Sequence, residues 1–102
     1  MIILGKYDEI WSGQGYPKMR DSFEKNRYEN QERIIEYLKR GHVHMVTASP
    51  VKDYFTGEYT NIEKIFLDDG EYSWCSSLIY YVDKYNLVLP KDFIDHVIKK
   101  TA

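Results

Sequence analysis

Residues 42–67 constrain the fold most, because they predict paired β-strands between two regions that predict helices. The stretch HVHMVTASPV, residues 42–51, is rich in β-branched side chains. Its strand should end near the proline, which has no N–H to donate to a sheet. Residues 52–56 and 59–67 flank Gly57-Glu58 and predict a hairpin. The centre of the chain is therefore predicted to form two or three antiparallel strands.

An amphipathic helix is predicted over residues 29–40, immediately before these strands. Three apolar side chains recur on one face at helical spacing: Ile34, Ile35 and Leu38. Acidic residues lie at its start and middle, basic residues close its last turn, and Gly41 follows. This order is typical of a helix whose dipole is matched by charge and whose end is capped by glycine. Asn30 is the predicted N-cap.

Two more helices are predicted after Asp68-Asp69-Gly70, which reads as a turn. The first begins at Ser73 or Trp74 and runs to Tyr85, with apolar side chains at helical spacing. The second begins at Leu89-Pro90, since proline is favoured at a first helical position.

The order of elements predicts one α+β domain, residues 1–102, with a small antiparallel sheet of two to four strands and about three helices packed on it. The first 24 residues carry the weakest patterns. Residues 6–11 fit a short strand, Ser12–Gly15 fit a loop, and KMRDSF at 18–23 fits one or two helical turns.

Composition narrows the classes of function. The formal charge of −2 and pI of about 5.9 are unlike those of most nucleic-acid-binding domains, so no direct nucleic-acid partner is expected. The single cysteine, Cys75, is typical of a reducing compartment. The apolar run at residues 1–5 is too short for a signal peptide, and no window is long enough to span a membrane. A cytoplasmic protein without membrane contact is expected.

Histidine and cysteine supply the candidates for metal or covalent chemistry. His42 and His44 lie two residues apart on a predicted strand, so both imidazoles would face one side, with His96 or Cys75 as a third ligand. No carboxylate or cysteine accompanies them at a recognisable ligand spacing, and we favour a structural role. Cys75 near a helix start could be an activated thiol, but we favour the interpretation that it is a small buried apolar side chain. No cofactor motif is present, and no catalytic residue is assigned.

The stretch DDGEYSWCSSLIYYV, residues 68–82, places acidic side chains beside exposed aromatic ones. Helical spacing directs Trp74 and Leu78 into the core, whereas Ser76 and Tyr80 project outward. Acidic groups steer a basic protein toward a surface, and tyrosine anchors it there. The candidate partner-binding residues are Asp68, Asp69, Glu71, Tyr72 and Tyr80.

The last third of the chain also resembles a known group of proteins. The residues that carry the resemblance are Asp69-Gly70-Glu71-Tyr72-Ser73-Trp74, Leu78, Tyr80-Tyr81, Tyr85, Leu89-Pro90, Phe93 and His96. This pattern is similar to that of small bacterial immunity proteins of contact-dependent growth inhibition and related polymorphic toxin systems. The resemblance implies a cytosolic protein that binds and neutralises one cognate toxin domain, commonly a nuclease. It transfers no binding residue to this chain.

Two other functions remain open from the residues alone. One is a small metal- or cysteine-dependent enzyme that uses His42, His44 and Cys75. The other is a regulatory adaptor that uses its tyrosine-rich surface to form a homodimer. The sequence does not decide between a monomer and a dimer.

Overall fold

The computed structural model describes the whole chain, residues 1–102, as three α-helices and a four-stranded sheet. Its elements in chain order are β1 (Ile2–Ile3), a short 3-10 helix (Met19–Ser22), α1 (Gln31–Lys39), β2 (His42–Lys52), β3 (Tyr59–Asp68), β4 (Tyr72–Cys75), α2 (Ser76–Tyr85) and α3 (Lys91–Lys100). The predicted α+β class is confirmed. None of these helices has the length and apolar character needed to cross a membrane.

The sheet has the strand order β1-β4-β3-β2 and is mixed. β2 pairs antiparallel with β3, and β3 pairs antiparallel with β4, where Leu67 lies opposite Trp74. β1 instead runs parallel to β4, with Ile2 opposite Tyr72. The prediction of an antiparallel sheet is therefore correct for three strands and wrong for β1. A two-residue strand that pairs with a distant segment leaves no periodic signal in the sequence.

The helices cover one face of the sheet, and a single cluster of 15 buried residues fills the space between them. Trp74 lies at its centre, with its indole N–H donating to the carbonyl of Leu38 in α1 at 3.1 Å and its ring 6.0 Å from that of Phe93 in α3. Trp74 and Leu78 are both buried, as predicted. Phe66 and Cys75 pair one position along from Leu67 and Trp74, so they face the opposite side of the sheet.

The segment after the acidic turn differs from its prediction. Residues Tyr72–Cys75 form β4, and α2 begins only at Ser76. Tyr72 and Trp74, two residues apart, both pack against Phe93, which is the spacing of a strand. Ser76 is buried instead of projecting outward. Its hydroxyl donates to the carbonyl of Glu63 and accepts from the N–H of Ile65, so it binds the part of β3 beyond the end of β4.

The predicted hairpin is present with different limits. The predicted end of β2 near Pro50 is wrong, because the strand continues to Lys52 and Pro50 lies opposite Glu63 at an irregularity in the pairing with β3. Residues 53–58 form the connecting loop. The prediction of a strand over residues 52–56 is wrong. The carboxylate of Asp53 accepts the N–H groups of Phe55 and Thr56, and these bonds fold the segment into a turn.

The other observed helix and strand boundaries lie close to the predicted ones, except near the N-terminus. α1 begins one residue after Asn30, which adopts a left-handed conformation (φ 67°) without a side-chain cap. α3 begins one residue after Pro90. The single turn at Met19–Ser22 agrees with the predicted helical turn, whereas residues 6–11 form turns and no strand. Trp11 N–H donates to the carbonyl of Tyr7, a local bond that an extended strand would not make.

Candidate partner-binding surface

The acidic turn between β3 and β4 is held by its own carboxylates. Asp69 Oδ1 accepts the N–H groups of Glu71 at 2.9 Å and Tyr72 at 2.7 Å. Asp68 Oδ1 accepts the N–H of Gly70 at 2.9 Å, and Gly70 has a φ of 93°, which glycine adopts without steric cost. Short acidic side chains followed by glycine therefore build this turn locally, as their sequence predicts.

The second oxygen of Asp69 joins the turn to two helices. Oδ2 lies 2.5 Å from the hydroxyl of Tyr37 in α1, which donates to it, and 2.7 Å from Nε2 of His96 in α3. Burial alone would raise the pKa of Asp69. The hydrogen bonds from Tyr37, the two turn amides and His96 outweigh burial and lower that pKa to about 2. Burial and the bond to Asp69 raise the pKa of Tyr37. Asp69 is thus an ionised group in a fully bonded structural site.

Glu71 is the outward member of the turn, with 59% of its side chain exposed. Its carboxylate lies 3.6 Å from Nδ1 of His96 and 3.5 Å from Nζ of Lys100. Tyr72 is half-buried, and its ring lies 5.0 Å from that of Phe93 and 4.8 Å from that of His96. Glu71 is therefore available to a partner, while Tyr72 mainly joins the turn to the core.

Asp68 links the turn to the edge strand β2. Its Oδ2 lies 2.9 Å from Nδ1 of His44 and 3.7 Å from Nδ1 of His42. His42 and His44, which the sequence offers as candidate metal ligands, thus both face this carboxylate, whereas His96 is bonded to Asp69. No group of three or more histidine, cysteine or acidic side chains has a geometry that would hold a metal ion.

Tyr80 lies apart from the turn, at the other end of the β2–β3 hairpin. Its hydroxyl donates to Oδ2 of Asp53 at 2.6 Å, and the hydroxyl of Tyr85 donates to the same oxygen at 2.7 Å. Asp53 is only 1% exposed. Burial would raise the pKa of Asp53, but these two tyrosines and the amides of the loop lower it. The structure brings four of the five candidate residues together and leaves Tyr80 in a separate buried-acid cluster.

A cavity of about 490 Å³ is lined by residues of β3 and β4 that face away from the helices, together with residues from the start of α2. Its lining is mostly apolar and includes Ile3, Ile10, Trp11, Phe66, Lys64 and Leu78. Cys75, half-buried, also lines it, as does His44. We call this cavity the open-face groove.

The sequence did not reveal the open-face groove. The sequence predicts a strand at Ile10 and Trp11, just before the loop at 12–15, and two apolar residues alone do not distinguish a strand from an exposed surface. Phe66 and Lys64 lie on β3, and only the observed strand limits show that both face away from the helices. A surface assembled from five separate segments of the chain has no signature in any one of them.

The polar clusters and the groove differ in what they offer a ligand. The carboxylate oxygens of Asp53 and Asp69 accept hydrogen bonds from donors within the protein, so these residues stabilise the fold. The groove and Glu71 are open to a partner. No known protein family, curated protein or solved structure matches the chain at a significant level.

Proposed function

We propose that this chain is a cytosolic immunity protein that binds one cognate toxin domain, a nuclease, and neutralises it by protein–protein contact. The observation that carries the proposal is the rigid acidic turn. The carboxylate of Asp69 accepts backbone N–H groups of the turn and so fixes its conformation, and the side chain of Glu71 extends from the turn into solvent. The resemblance of residues 69–96 to immunity proteins supports the same function.

A pre-formed acidic turn suits the recognition of a basic partner. A nuclease domain presents basic side chains where nucleic-acid phosphates bind. Carboxylates on a fixed backbone can occupy the same positions at a lower entropic cost than mobile ones. Glu71 and the partly exposed Asp68 are the side chains that would meet those basic groups, with electrostatic attraction accelerating the encounter.

A growth-rescue experiment tests this function. The C-terminal region of the protein encoded immediately upstream of this chain's gene is expressed in a bacterial host, with and without this chain, and surviving cells are counted. We expect growth arrest that only this chain relieves, and a stable complex of the two purified proteins. A harmless upstream product, or killing that this chain leaves unchanged, would reject the proposal.

A further inference from the structure

The open-face groove combines an exposed apolar wall with apolar residues that are half-buried or buried. Trp11 is 49% exposed on one wall, and Ile3 and Ile10 beside it are exposed to a similar extent. Phe66 and Leu78 contribute to the same lining. Exposed apolar groups gathered in a concave site, rather than scattered singly, are typical of a contact surface.

Lys64 gives the groove its charge. Its side chain lines both this groove and a second depression that extends to the tip of the β2–β3 hairpin. Five of the 14 lysine and arginine side chains have a carboxylate within 4 Å, and Lys64 is among the nine that have none. Lys64 is a half-buried residue beside apolar walls, and its charge is therefore available to a carboxylate from outside the chain.

The groove also adjoins the acidic turn. His44 lines the groove and, from the other side, bonds to Asp68 at 2.9 Å. A stable interface of ordinary size covers about 800 Å² on each partner, with an apolar centre and a polar rim. One partner seated over His44 would cover the apolar groove and the turn together.

We propose that the open-face groove receives an apolar anchor of the toxin domain, an aromatic side chain adjacent to a carboxylate that pairs with Lys64. This inference rests on the proposed function and names the surface through which that function acts. The toxin domain then carries basic groups over Asp68 and Glu71 and an acidic group over Lys64. The two ends of the surface have opposite charge, so they fix the orientation of the partner.

A second copy of this chain fits the groove less well. In a two-fold symmetric dimer the same patch faces itself. Two open-face grooves in contact would bring Lys64 toward its own copy with no acidic residue of the groove lining to compensate. A partner of complementary charge removes this repulsion.

The test measures the affinity of this chain for the toxin domain, inactivated in its catalytic site, by isothermal titration calorimetry. Trp11→Ala and Lys64→Glu remove the aromatic wall and reverse the charge. Lys25→Glu makes the same charge change at an exposed lysine outside the groove, and Val46→Ala truncates an exposed apolar side chain outside it. Thermal unfolding of each variant shows that it is folded.

We expect Trp11→Ala and Lys64→Glu each to weaken binding by about tenfold or more, and both controls to remain within about twofold of the original chain. If the original chain binds and both groove variants bind equally well, the groove assignment is overturned and the proposed function stands. If the original chain neither binds nor protects, both are overturned. If the chain alone forms a dimer and Trp11→Ala dissociates it, the groove binds a second copy of the chain, and the inference is likewise overturned.

Discussion

Nε2 of His96 lies 2.7 Å from Oδ2 of Asp69, and this contact joins α3 to the acidic turn across 27 residues of sequence. Tyr37 of α1 donates to the same oxygen. One carboxylate therefore connects two helices and the β3–β4 turn. A charge that satisfies so many donors contributes to stability chiefly because its removal leaves those donors without a partner.

Asp69→Asn should destabilise the fold in a pH-dependent manner. The pKa of Asp69 falls from 3.8 to about 2 on folding. The ionised form is therefore favoured by the native state, and its contribution of roughly 2 kcal/mol is complete above about pH 5 and lost as pH falls toward 2. Urea unfolding at pH 7 and at pH 2.5 should show a large difference between the variant and the original chain at pH 7 and a small one at pH 2.5.

Glu71→Gln provides the matched control for that measurement. Glu71 lies in the same turn, but its side chain is mostly exposed and makes only longer contacts. Its removal should change the free energy of unfolding by less than about 0.5 kcal/mol. An equal loss of stability in both variants would show that net charge, and not the hydrogen bonds of Asp69, holds the turn.

Tyr85→Phe should destabilise the hairpin end of the molecule by about 1.5–3 kcal/mol, because it removes one of the two hydroxyl donors to the buried Asp53 carboxylate. Tyr59→Phe, at a mostly exposed tyrosine, should be close to neutral. Chemical unfolding at pH 7 measures both. A neutral Tyr85→Phe would mean that Asp53 is satisfied by Tyr80 and the loop amides alone.

The same cluster should lose stability in alkali. Burial and the bond to Asp53 raise the pKa of Tyr85 above its usual 10.0. The phenol form is therefore favoured by folding, and its contribution is present below pH 10 and lost as pH rises through the raised pKa. Unfolding curves recorded from pH 8 to pH 11 should lose less stability in Tyr85→Phe than in the original chain.

The helices were predictable because their signals are local. Apolar spacing and charge order in α1 and proline before α3 depend on neighbours a few residues apart. The strand β4 was not predictable from the sequence. Its four residues are too few to distinguish the two-residue repeat of a strand from the 3.6-residue repeat of a helix, and the spacing of Trp74 and Leu78 fits both. The acidic turn was predicted as a turn, but the roles within it depend on Tyr37 and His96, which are distant in sequence.

Gly41 follows α1 as the sequence pattern predicts, but the structure gives a different reason for the glycine. The sequence predicts that Gly41 caps the end of α1, but its φ is not positive, so the left-handed conformation that favours glycine at helix ends does not account for it. A Cβ at this position would lie 2.7 Å from Cζ2 of Trp74 and 3.0 Å from Cβ of Leu67. The absence of a side chain lets the chain pass beneath the buried indole.

Gly41→Ala should therefore cost about 1–3 kcal/mol by overpacking. Trp74 cannot easily move aside, because its ring is buried and its N–H is bonded to Leu38. In a Trp74→Phe background the smaller ring removes the closest contact, and the cost of Gly41→Ala should fall by at least about 0.5 kcal/mol. Chemical unfolding of the four chains measures this coupling. Strict additivity would assign the cost to the backbone instead of to the contact with Trp74.

The last prediction concerns the acidic turn in binding. Glu71→Gln should weaken the complex with the toxin domain about two- to tenfold at low salt and flatten its salt dependence, because an exposed carboxylate acts mainly through screened attraction. Glu58→Gln, an exposed acid in the opposite hairpin loop, makes the same charge change far from the turn and should keep the original slope. Association rates at 50 mM and 500 mM salt compare the three proteins. If the association rates of all three proteins depend equally on salt, the acidic turn is not part of the contact surface. The groove variants would still test the rest of that surface.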